Sequence, residues 1–261
     1  MIVLISRAKE VYLKRDTLRS LVVRNLKNRY SGTVLGFGWS VLNPILLAFV
    51  ISFVFTHIFK TSGYNFTSFV LSGMLPWFFF ASSLNESAAS ILNNASILNQ
   101  FSIPREMFPL AVACSNFIIF LTGLGILLPF FIIVNLHILG TLIYLPALLI
   151  IYFFFILGLS FITASTNIIF RDLAHILNIG LMLWMWVTPI FYSIDAVPLP
   201  YSRIISLNPI VPFIYLFHAL LYDKSSPLAP YFLRAFVYGI FLFFAGYIIF
   251  LKIEDKVIKR M

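Results

Sequence analysis

The chain has 261 residues, of which 61% are hydrophobic and 18% aromatic but only 10% charged. A water-soluble domain carries about a quarter charged residues, so this composition, with a mean hydropathy of +1.00, excludes a soluble enzyme or binding module and places the protein in lipid. The formal net charge of +9 reflects membrane topology rather than a nucleic-acid partner.

Residues 17–30 read as an amphipathic helix. Leu18, Leu21, Val22, Leu26 and Tyr30 recur at spacings of three and four, and Arg19, Arg24, Lys27 and Arg29 occupy much of the remaining circumference. Such a helix lies in the headgroup plane, its basic face against the anionic lipid of the bilayer. Fixed just before a span, it has little freedom to bind nucleic acid. Met1 to Arg29 holds no apolar h-region, so no cleavable signal peptide is expected. Gly32, Gly36 and Gly38 then let the backbone turn into the first span, with Trp39 at the interface. The same loop lets a lipid headgroup or sugar approach backbone amides. Arg29, Leu35, Gly36, Gly38 and Trp39 are the expected point of substrate admission.

Stretches without Asp, Glu, Lys or Arg run over 30–59, 61–85, 107–170, 173–194, 204–222 and 235–251. Crossing the hydrocarbon takes about 20 apolar residues, so 107–170 holds two crossings, separated by Asn135-Leu136-His137. Six spans are expected, at roughly 35–59, 66–88, 108–134, 142–169, 173–193 and 232–251. Pro209 and Pro212 remove 204–222 from the set, because proline breaks a continuous helix. With six spans both termini are cytoplasmic, and of the 18 Lys and Arg only Lys60, Arg203, Lys224 and Arg234 lie outside, as the positive-inside bias requires. Residues 194–231 become an external, Pro-rich re-entrant or interfacial hairpin lining or capping a pathway. The expected fold class is an all-α membrane protein. It divides into a cytoplasmic segment 1–34, a transmembrane domain 35–251 and a basic cytoplasmic tail 252–261.

Between the second and third spans, residues 92–106 are longer than a connector between antiparallel helices needs. Ile97, Leu98 and Phe101 lie on one side of a short helix, Pro104 restarts the chain, and Glu106 suits a helix N-terminus. Apolar residues in so long a loop point to a docking protein. Glu86 is an acid within a span, for which helix–helix hydrogen bonding is expected ahead of substrate contact. Cys114, alone in the chain, makes neither an intrachain disulfide nor a metal site; no cofactor is expected.

Seven segments in order are familiar. Asn25 to Tyr30 with Leu35-Gly36, Trp39 and Asn43-Pro44 comes first, then Gly73 to Trp77, Phe101 to Pro109, Phe170 to His175, Thr188 to Tyr192, Val197-Pro198 and Leu207 to Pro209. Together they resemble permeases of the ABC-2 family, most closely the branch exporting O-antigen, capsule and teichoic acid. The resemblance implies a homodimeric permease of the cell inner membrane, working with two separate ATP-binding-cassette ATPase subunits to export a lipid-linked polysaccharide. It also implies an ATPase-coupling loop, here Asn94, Ile97, Leu98, Phe101, Pro104, Arg105 and Glu106. The chain departs from the family at Asn99-Gln100, where a basic residue is common before the aromatic.

No Gly-x-x-x-x-Gly-Lys-Ser/Thr loop occurs, so ATP is not bound by this chain and a transporter subunit rather than an enzyme is expected. Six helices are too few to enclose a polymer-wide channel, which also argues for a dimer. Aromatic faces suit sugar C–H surfaces, and Phe49, Phe53, Trp77, Trp184, Trp186 and Tyr192 are the expected channel-lining aromatics. A secondary transporter would place charge near the midplane and often show inverted repeats, and neither is found. Export of a small drug or lipid remains the alternative within the family. A membrane glycosyltransferase would need clustered acids, whereas the nine acids here are scattered.

Overall fold

The computed structural model describes residues 2–33, 36–58, 66–101, 103–222 and 228–258, and every regular element among them is helical. Helix α1 (Ile2–Leu13), which the 17–30 pattern does not foresee, leads into α2 (Arg15–Tyr30). After the glycine loop come α3 (Trp39–Phe53), which ends in a π turn at Val54–Ile58, and α4 (Phe66–Ser90). The short α5 (Ala95–Gln100) precedes α6 (Met107–Val134), α7 (Leu145–Ile169) and α8 (Leu173–Val187). The chain closes with α9 (Tyr201–Ser206), α10 (Val211–Leu221) and α11 (Leu228–Ile258).

Among the described residues, four helical stretches are long and apolar enough to cross a bilayer: Phe66–Ser90, Met107–Val134, Ile138–Ile169 and Ala229–Glu254. The other two expected spans are shorter apolar helices, Leu42–Ile58 and Leu173–Val187. Pro189 follows α8 closely, and the Thr188 hydroxyl donates back to the Trp184 carbonyl at 2.8 Å, closing the helix end. Helix α11 continues past residue 252 to Ile258, and residues 259–261 of the expected tail lie outside the described residues.

No continuous helix runs through 204–222, as the prolines predict: α9 ends at Ser206 and α10 begins at Val211. Pro212 occupies the first turn of α10, where a missing N–H costs nothing, and the helix after it is buried almost throughout. Eleven residues span about 16 Å, half a bilayer. The C-terminal carbonyls of α10 find donors in the α6–α7 turn: Asn135 Nδ2 reaches Tyr222 at 2.9 Å and Thr141 Oγ1 reaches Leu220 at 3.1 Å. Backbone ending inside an apolar assembly needs such partners.

Two cores hold the bundle. The larger packs α4, α6, α7 and α10 around Tyr152, whose ring lies 5.0 Å from Phe213 and 5.4 Å from Phe217. Along the α4–α7 seam, α7 donates to α4 carbonyls: Tyr152 to Pro76 at 2.8 Å, Thr163 to Leu84 at 3.4 Å and Asn167 to Ala88 at 2.9 Å. The smaller core gathers Leu21 and Val22 of α2, Met107 and Phe108 of α6, Phe161 of α7 and Phe250 of α11. The apolar stripe of α2 therefore packs on protein.

Arg7, Glu106 and Glu254 place three distant segments at one end of the bundle. The Arg7 guanidinium lies 3.8 Å from Glu106 and 3.6 Å from Glu254. At the opposite end sit the α6–α7 turn, the end of α10 and the Pro189 turn.

Candidate functional site

Polar side chains converge where α2, α3, α4 and α6 meet. The Arg29 guanidinium, in the last turn of α2, pairs with Glu86 of α4. Asn116 of α6 donates to the second Glu86 oxygen at 3.0 Å and to the Val112 carbonyl at 3.2 Å. Glu86 thus bonds between helices, as expected, and it also lines a cavity. That cavity measures about 330 Å³ and is walled by Arg29, Trp39, Asn43, Phe78, Glu86 and Asn116 among others. Its size falls in the range of small-ligand sites. A guanidinium can hold an anionic group, the carboxylate and amides can hold hydroxyls, and the rings offer flat apolar faces.

Two of the expected admission residues, Arg29 and Trp39, therefore meet at this cavity. Gly36 adopts φ +49 in the turn leading to it, a left-handed conformation that glycine accepts without strain, and Gly32 does the same at φ +77. Gly38 has φ −58 at the start of α3 and needs no such freedom. Leu35 lies outside the described residues. Asn43 entered the sequence reading only through the family resemblance and Asn116 not at all, although an amide inside an apolar stretch is a readable signal.

The segment expected to couple to an ATPase divides between inward and outward faces. Ile97 and Leu98 rest against the smaller core, whereas Phe101 stands 60% exposed. Pro104 is buried and Arg105 half-buried. Asn94 accepts from the Arg24 guanidinium of α2 and donates to the Ser90 carbonyl at 2.7 Å. Glu106 is 2% exposed, and burial pushes its carboxyl above the usual carboxylate range, against the pull of its backbone hydrogen bond and of Arg7.

The aromatic set does not form one surface. Phe49 and Phe53 are exposed on α3, and Trp186 on α8. Trp77 is buried, 5.3 Å from Phe80 and 6.5 Å edge-on to the half-buried Trp184. Tyr192 donates to the Val187 carbonyl at 2.9 Å. It lines a second cavity, of about 120 Å³, with Tyr215, His218 and Tyr222. His218 was missed by sequence reasoning. Its Nδ1 lies 2.8 Å from Ser72 Oγ and its Nε2 3.1 Å from the Pro189 carbonyl, and Phe69 stacks on its ring at 4.1 Å.

Comparison with known proteins decides the family. The ABC-2 type transporter family matches residues 17–222. The chain belongs to the ABC-2 type transporter family. Two O-antigen export permeases resemble it over most of their length. The O-antigen export system permease protein RfbA of Myxococcus xanthus is 32% identical over 86% of this chain and 87% of its own. One from Klebsiella pneumoniae is 31% identical over 92% and 93%. The polysialic acid transport protein KpsM of Escherichia coli matches more narrowly, 27% identical over 33% of this chain and 34% of its own. This ABC-2 chain is a multi-pass membrane component of a transporter and not an enzyme.

Proposed function

We propose that this chain is the channel-forming subunit of an exporter that moves a lipid-linked polysaccharide, of the O-antigen class, from the cytoplasm across the inner membrane. Two copies form the channel, and two ATP-binding-cassette subunits, which hydrolyse the ATP, dock on the exposed face around Phe101. The observation carrying this reading is the near full-length likeness to O-antigen export permeases. The fold supports it with a polar cavity, lined by Arg29 and Glu86, on the side of the bundle that also bears the coupling segment.

In this reading all six expected segments cross, with α3 and α8 completing the four longer helices. Residues 194–231 re-enter from outside through α9 and α10; residues 223–227 of that hairpin lie outside the described residues. Both termini are cytoplasmic, in keeping with the Arg7–Glu106–Glu254 cluster, which holds α1, the coupling segment and the end of α11 together. The exposed rings of Phe49, Phe53 and Trp186 face the path or the second copy, where aromatic surfaces suit sugar C–H faces.

Deleting the gene in its host is expected to trap polysaccharide in the cytoplasm, and restoration is expected to need both this chain and a hydrolysis-competent ATPase. Export that persists with a hydrolysis-dead ATPase, driven by an ion gradient, would overturn the reading. Cysteine labelling, with Cys114 replaced by serine, checks the topology. Leu207→Cys should react from outside and Gln100→Cys only from inside.

A further inference from the structure

Helix α2 touches both the cavity and the coupling segment through arginines five residues apart. Arg29 pairs with Glu86 at the cavity wall. Arg24 donates to Asn94, which is bonded in turn to Ser90 at the end of α4. Five residues of helix span about 7.5 Å, and so short a rod moves as one piece. On the N-terminal side of both arginines, Leu21 and Val22 pack α2 against α6 in the smaller core. A change of partner at Arg29 is therefore mechanically linked to the position of Asn94.

The pair itself is exchangeable. Glu86 is 44% exposed and Arg29 23%, and both line the cavity, so neither charge is sealed within protein. A guanidinium presents a planar fork of donors that fits a phosphate as well as a carboxylate. The cavity continues from these charges to apolar walls at Leu75, Phe78 and Leu127, which accept a hydrocarbon stem but not a freely hydrated anion.

Resting on the export reading, we infer that the Arg29–Glu86 pair is a latch opened by a phosphate ester on a lipid headgroup, and that α2 reports the opening to the coupling segment through Arg24 and Asn94. In the empty protein, Glu86 holds Arg29 and keeps α2 in its resting position. A phosphate ester in the cavity takes Arg29 from Glu86, α2 shifts, and Asn94 moves with Arg24. Arg29 is then a sensor as well as a ligand, and ATP hydrolysis is held low until a headgroup has arrived.

The test uses the complete complex with its ATPase subunits in phosphatidylcholine vesicles, with or without a tenth of phosphatidic acid as the phosphate-ester probe. The wild-type ATPase is expected to rise roughly fivefold with the probe, the scale of a modest coupling energy. Inorganic phosphate in solution is expected to leave the rate unchanged; stimulation by inorganic phosphate alone would overturn the headgroup assignment. Glu86→Gln should run at the stimulated rate without the probe and gain little from it. Asn94→Ala should lose the response to the probe, and a full fivefold rise in that variant would show that the signal does not pass through Asn94. The charge exchange Arg29→Glu with Glu86→Arg rebuilds the pair and should restore the low basal rate, even if a single variant fails to copurify with the ATPase. A high rate in that double variant, or a Glu86→Gln protein with wild-type basal and stimulated rates, would sink the latch and leave the export reading intact. A wild-type complex that responds to the probe but moves no polysaccharide would sink the export reading and leave the latch.

Discussion

At the scale of single residues, the tightest chemistry lies in two buried polar clusters. Glu106 and Glu254, at 2% and 5% exposure, share Arg7, which is drawn from a helix a hundred residues away in sequence from the nearer of the two. Replacing Arg7 with alanine should cost about 2 kcal/mol in a detergent melt, less than for a fully enclosed pair because Arg7 keeps part of its surface in water. Glu106 gives this cluster a pH signature. Its carboxyl is held above the usual range by burial, so the folded protein binds a proton that the unfolded chain releases. The stabilising contribution is fully present below the ordinary carboxylate value and is lost as pH rises through the folded value. The melting temperature should therefore fall over the interval just above the ordinary carboxylate range, and Glu106→Gln should flatten that slope. The other cluster is centred on His218. A Cβ at Gly73 would stand 2.8 Å from the imidazole Cε1 and 3.2 Å from Ile190 Cγ2. Gly73→Ala should thus push the ring off Ser72 and Pro189 and lower stability by about 2 kcal/mol, measurable in the same melt.

At the scale of helices, packing without water-driven burial depends on close backbone approach. The α7–α11 contact shows this. A Cβ on Gly158 would overlap the Leu242 carbonyl, and one on Gly246 would overlap the Gly158 carbonyl. These obstacles are backbone atoms, which no rotamer change can remove. Gly246→Ala should cost about 3 kcal/mol, at the upper end for overpacking, and reduce the yield of folded protein in the membrane. Gly125 and Gly180 meet nothing within 4 Å, so alanine there should be tolerated and serves as the control. The glycines on α7 and α11 are plain in the sequence, but which of them touch backbone is not. α6 is apolar around its whole circumference and carries no stripe to say which face packs. The stripe of α2 is legible, but its destination is not: Leu21 and Val22 join a core with Met107, Phe108 and Phe161.

At the scale of the whole molecule, the coupling segment is the point where a partner would grip. Ile97 and Leu98 help to build the smaller core, so charging them would injure folding and docking together. Phe101 is the cleaner probe, being 60% exposed beside Gln100. Phe101→Asp should insert and fold normally, with an unchanged melt, while losing most of its ATP-driven export; export near the wild-type level would show that docking lies elsewhere.

Sequence alone determined the solvent of this protein, its helical class and four of the stretches long and apolar enough to cross, because hydrocarbon tolerates neither charge nor unpaired backbone and so writes its thickness into the charge-free runs. It also placed Arg29 and Trp39 beside the glycine loop, since a basic residue and an interfacial ring ahead of a span stand out locally. Only the tertiary structure decided that Glu86 and Asn116 complete that site and that Trp77 turns inward. It alone showed Arg7 meeting Glu106 and Glu254. In a chain so uniformly apolar, helix faces are nearly equivalent by composition. Partners are then chosen by backbone proximity and by where the few polar atoms find one another across helices, and neither is local in sequence.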